Sequence, residues 1–91
     1  MNTLNEYLIN VYEKKKYRTC AIANNLLNTY NYNIESDDFE NDIRTMTLKN
    51  YNHNYNIITI TSTIIFDSNQ NKKEYIEIQY NKYLLKFSVY F

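Results

Sequence analysis

The residues able to do chemistry are few, and they fall in three places. Cys20 stands beside the basic run Lys14–Arg18 at the start of an apolar-periodic stretch, where a thiol could act as a nucleophile, and His53 is the one imidazole that could serve as its base. A lone cysteine next to a helical apolar stripe is more simply a small core residue. His53 sits in the Asn-rich run NYNHNYN, which reads as a connection rather than a rigid platform, so no enzyme is expected. The third place is ESDDFEND, where Glu35, Asp37, Asp38, Glu40 and Asp42 put five carboxylates into eight residues. Their spacing does not match a calcium loop, and no Cys or His cluster has metal spacing, so neither metal nor cofactor is expected. A row of acids can instead occupy the arginines and lysines with which another protein holds phosphates, through charge-assisted hydrogen bonds. Asp37, Asp38, Glu40 and Asp42 are the candidates for that role.

Composition narrows the class. Glycine and proline are both absent from the 91 residues, which removes phosphate-cradling loops and nucleophile elbows and leaves every turn to Asn, Asp, Ser and Lys. Ten basic and ten acidic residues cancel, so no global field points to nucleic acid or membrane. A single cysteine rules out an intrachain disulfide. With no signal-like N-terminus and no run near the ~18 apolar residues of a membrane span, a cytoplasmic protein is expected. The wealth of Asn, Ile, Lys and Tyr looks like the translation of an AT-rich bacterial or phage genome. Eleven tyrosines exceed what so small a core can hold, and tyrosine is enriched in binding surfaces. Tyr51, Tyr55, Tyr75 and Tyr90 are expected at the surface, and Tyr51 and Tyr55 join the candidate partner-binding residues.

The elements that must position these groups follow from periodicity. Thr3 and Glu6 have capping-box spacing ahead of apolar Leu4, Leu8, Val11 and Tyr12, predicting a helix over about 3–15. Thr19 as cap and Ile22, Ala23, Leu26, Leu27 and Tyr30 on one face predict a second over 19–31. Ser36 as cap, Asp37 and Asp38 in the first turn, and Phe39, Ile43 and Met46 at i, i+4, i+7 predict a third over 36–49. From Asn56 the period changes to two, predicting strands over 56–66, 72–80 and 83–91. A two-residue turn at Asn81 and Lys82 would set Tyr80 opposite Tyr83, Ile78 opposite Leu85, Ile76 opposite Phe87 and Glu77 opposite Lys86. The expected fold is a single α+β domain over 1–91, three N-terminal helices followed by a three-stranded antiparallel meander, with the helices on one sheet face.

Two resemblances bear on function. The element order over residues 4–80 is similar in layout to winged-helix regulators, which would imply a transcriptional regulator that binds nucleic acid. A recognition helix carrying five carboxylates and one arginine would repel phosphates, which places that reading second. The stretch DDFENDIRTMTLKN, residues 37–50, resembles the C-terminal part of small phage-encoded anti-CRISPR proteins that inhibit a type II effector nuclease. That resemblance implies a non-enzymatic nucleic-acid mimic that presents Asp37, Asp38, Glu40 and Asp42 to a basic groove of a host effector. The last strand, YLLKFSVYF, is apolar and carries one mid-strand lysine, thin protection for a sheet edge. Either a helix covers that edge or another chain does, and the expected occupants are a second copy, giving a homodimer through that strand, or a strand of the target protein.

Overall fold

The computed structural model describes residues 3–50 and 56–91. Two helices, α1 (Leu4–Lys14) and α2 (Thr19–Thr29), precede five strands: β1 (Asn33–Glu40), β2 (Ile43–Asn50), β3 (Asn56–Phe66), β4 (Lys72–Tyr80) and β5 (Tyr83–Tyr90). The strands form one antiparallel sheet in the order β1-β2-β3-β4-β5, with both helices on one face. The class is α+β, but the expectation of three helices and a three-stranded meander is wrong. The segment predicted as a third helix is the hairpin β1–β2, and with it goes the turn unit that the winged-helix layout requires.

The physical reason lies in the turn. Asn41 and Asp42 both adopt positive φ, 52° and 63°, the two-residue geometry whose twist matches that of the flanking strands. Asn and Asp are the residues that tolerate this conformation when glycine is absent. Beyond the turn, Met46 and Leu48 point inward while Thr45 and Thr47 point out, a period of two with β-branched residues on the open side. The helical spacing of Phe39, Ile43 and Met46 is a coincidence, because only Met46 of the three is buried.

The remaining strands occupy the stretches of alternating pattern. The register of β4 with β5 pairs Tyr80 with Tyr83, Ile78 with Leu85, Glu77 with Lys86 and Ile76 with Phe87, the pairing the two-residue turn requires. On the helix-covered face, Met46, Ile60, Ile78 and Leu85 lie in one cross-strand row and Ser62, Ile76 and Phe87 in the next. Leu8 and Val11 of α1 and Ile22, Ala23 and Leu26 of α2 close over them. Each fully buried isoleucine in these rows contributes on the order of 1.5–3 kcal/mol.

Helix ends are fixed by side chains and by one long-range contact. Thr3 Oγ1 accepts the Glu6 N–H at 3.2 Å, and the Glu6 carboxylate returns to Thr3. Lys15 ends α1 in the left-handed region at φ 51°, the place glycine usually takes. Thr19 was expected to cap α2, yet it is the first helical residue, and its N–H donates to Glu74 Oε2 of β4 at 2.8 Å. Glu74 is 7 % exposed and also meets Arg18 at 3.5 Å. A carboxylate at the positive end of a helix dipole thus ties α2 to the sheet.

Candidate partner-binding surface

The acidic hairpin forms one edge of the sheet, and strand geometry divides its carboxylates between two faces. Directly opposed residues of an antiparallel pair share a face. Asp37 lies opposite Met46 and Phe39 opposite Arg44, so both belong to the helix-covered side. Asp38 opposite Thr45 and Glu40 opposite Ile43 belong to the open side. The register shifts between Ile34 and Ser36, a bulge at Glu35 that re-aims the strand at its start.

This division changes which acids can meet a partner. The Asp37 carboxylate takes a bidentate pair from Arg44, Nε to Oδ1 at 2.9 Å and Nη2 to Oδ2 at 2.7 Å. That pair holds the Asp37 carboxyl below the usual carboxylate range and pushes the Arg44 guanidinium further up. Arg44 also donates to Cys20 Sγ at 3.5 Å, so the exposed thiol is spent on the same cluster. Glu35 is paired with Lys49. Asp38 and Glu40, by contrast, line a shallow depression with Asn41, Ile43 and Thr45, and neither carboxylate makes a hydrogen bond or ion pair with a described residue. Asp42 sits in the turn, its backbone carbonyl accepting the Thr63 hydroxyl at 3.0 Å.

Of the predicted candidates, then, Asp38 and Glu40 are brought together on one open face, Asp42 in the turn lines a separate cleft with Phe39 and Arg44, and Asp37 is turned away and neutralised. Tyr51 and Tyr55 lie outside the described residues, as does His53. Tyr75 is half-buried on the open face, and Tyr90 is exposed with its hydroxyl donating to Asp67 at 3.3 Å. One contributor escaped the sequence reading. Phe39, assigned to a buried stripe, is 72 % exposed on the edge strand.

The edge also offers its backbone. Glu40 and Ile43 flank the two-residue turn as a hydrogen-bonded pair, so alternation turns the N–H and C=O of Asp37 and Phe39 outward. Among the described residues no strand pairs with that side. No group of three or more described His, Cys, Asp or Glu side chains converges to hold a metal ion, and no described helix is long and apolar enough to cross a membrane. No family model, curated protein or solved structure matches the chain.

Proposed function

We propose that this protein is a non-enzymatic, stoichiometric inhibitor, of the anti-CRISPR kind, that engages a basic nucleic-acid-handling host protein through its β1–β2 hairpin. The carrying observation is the acidic edge itself: Asp38 and Glu40 stand exposed on one face of an unpaired strand, without partners among the described residues. Cationic side chains that otherwise bind phosphates would meet these carboxylates as charge-assisted hydrogen bonds, while the outward N–H and C=O groups of Asp37 and Phe39 could extend a partner's strand. The stretch that resembles type II anti-CRISPR proteins, residues 37–50, coincides with this hairpin. The edge replaces the helix of the sequence reading as the presenting element, and a rigid strand serves that purpose equally well.

The test is a DNA-cleavage assay with a guide-loaded type II effector nuclease and increasing amounts of the protein. Inhibition should titrate at a fixed stoichiometry and fall at least tenfold in potency for Asp38→Lys with Glu40→Lys, as expected when a desolvated charge pair of a few kcal/mol is lost. Full inhibition by that double variant would reject the acidic edge. Absence of inhibition by the wild type would reject the effector as target. Electrostatic engagement further implies that heparin competes and that added salt weakens the complex.

A further inference from the structure

The opposite edge of the sheet has different chemistry. The two-residue turn at Asn81 and Lys82 makes Tyr80 and Tyr83 a hydrogen-bonded pair, and at the far end Phe91 N–H still donates to Lys72 O at 3.2 Å. Odd-numbered residues of β5 therefore bond to β4, and Leu84, Lys86, Ser88 and Tyr90 turn their N–H and C=O groups to the free edge. No described strand pairs with that edge. Four large side chains along it are exposed: Tyr83 61 %, Leu84 52 %, Tyr90 58 % and Phe91 52 %.

Those four positions are symmetric about Phe87. In an antiparallel pairing of two β5 strands centred on that residue, Leu84 faces Tyr90 of the second copy on the open side, and Tyr83 faces Phe91 on the helix side. Leu85 then faces Val89, and Lys86 faces Ser88, so no charge meets its like directly. Moving the centre to Lys86 sets lysine against lysine. Moving it to Ser88 sets Lys86, and no longer Leu84, against Tyr90 of the second copy. Odd shifts put the two helix layers on opposite faces. The acidic β1 cannot pair with itself in this way without placing carboxylates beside carboxylates, so among symmetric pairings charge selects β5.

We propose that two copies of this chain join through β5 in the register centred on Phe87, making one continuous ten-stranded sheet. Helix α1 extends the contact. Its Tyr12 ring meets Phe87 edge-on with centroids 6.1 Å apart, beside the two-fold axis. Its Ile9, half exposed, lines an apolar cavity of about 110 Å³ with Leu8, Tyr83 and Leu85, next to the position that Phe91 of the second copy occupies. The three exposed aromatics of the strand bury roughly 300 Å² per copy. A standard interface buries about 800 Å² per partner, so strand backbone, Leu84, Ile9 and Tyr12 must supply the rest. The dimer would leave an acidic hairpin at each end of the sheet.

Sedimentation equilibrium across the micromolar range is the first test. The 11.1 kDa chain should pass to twice that mass, and added salt should not dissociate the dimer, because the charges at this edge, Lys86 in the strand and Arg18, Lys72 and Lys73 over Phe91 and Tyr90, are of one sign. A monomer throughout would overturn the proposal, and so would an open-ended polymer that dissolves in high salt, the signature of β1 pairing with β5 of the next copy. Register is tested in a Cys20→Ser background by mixing Leu84→Cys protein with Tyr90→Cys protein. Facing residues of a hydrogen-bonded pair lie about 5.5 Å apart, within disulfide reach, whereas the two Leu84 positions lie about 20 Å apart. Oxidation should crosslink the mixture and not Leu84→Cys alone. Equal crosslinking of both would exclude this register. Ser88→Pro removes one outward donor and no bond to β4, so it should weaken the dimer at least tenfold with an unchanged circular dichroism spectrum. An unweakened dimer would contradict the pairing, and should the variant fail to fold, the crosslinking result decides.

Discussion

The two edges of the sheet hold phenylalanines at comparable places and treat them oppositely. Phe87 of β5 is 4 % exposed under α1, while Phe39 of β1 is 72 % exposed on the same face of the sheet. Helix α1 lies over β5 and α2 reaches β1, yet β1 buries none of its residues and is otherwise held by its ladder with β2, the bidentate Asp37–Arg44 pair and the Glu35–Lys49 pair. The acidic edge thus leaves Asp38, Glu40 and Phe39 open to a partner, and the apolar edge is a continuation of the core. The difference shows why charge density alone is a poor guide to a surface. Carboxylates protect an edge from self-association and, by the same means, select a basic partner.

Substituting the two phenylalanines is the strongest way to break this contrast. Phe87→Ala should destabilise the fold by about 3–5 kcal/mol, because it empties a site ringed by α1 and β4. Phe39→Ala should stay within about 0.5 kcal/mol in the same urea titration. Similar losses at the two sites would mean that β1 is covered as β5 is.

A smaller effect sharpens the same comparison through pH. Asp37 has its folded pKa lowered, first by the hydrogen bonds from Arg44, so its contribution to stability is fully present above the unfolded value of about 3.9 and is lost as pH falls through the lower folded value. Its side chain is 37 % exposed, so after solvent screening the contribution is below about 1 kcal/mol. Urea midpoints measured at about pH 5 and about pH 2.5 should therefore fall less in Arg44→Ala than in the wild type. An unchanged difference between the two would mean that the pair does not hold the hairpin.

The β5 side was legible in the sequence and the β1 side was not, for reasons visible in particular residues. Ile58, Ile60, Ile76 and Ile78 alternate with Thr59, Thr61 and Glu77 because one sheet face is buried and the other open, and that alternation survives without any knowledge of the fold. Strand β1 buries none of its residues, so it carries no alternation to read. Its turn is Asn-Asp rather than a glycine pair, and Phe39, Ile43 and Met46 happen to fall at helical spacing. The available signal was Thr45 and Thr47 interleaved with Met46 and Leu48. The same error misplaced the site. A helix puts Asp37 and Glu40 on one solvated face, whereas the strand sends them to opposite faces and hands Asp37 to Arg44.

Residue-resolved hydrogen exchange tests the central claim, that the two edges take different partners, most directly. In the protein alone at concentrations above dimer formation, the outward amides of Leu84, Lys86 and Ser88 should be protected and should lose that protection on dilution. The outward amides of Asp37 and Phe39 should exchange at nearly unprotected rates at every concentration, and slow only when a guide-loaded type II effector nuclease is added. Equal exchange at both edges at high protein concentration, or protection at β1 without the effector, would contradict the account.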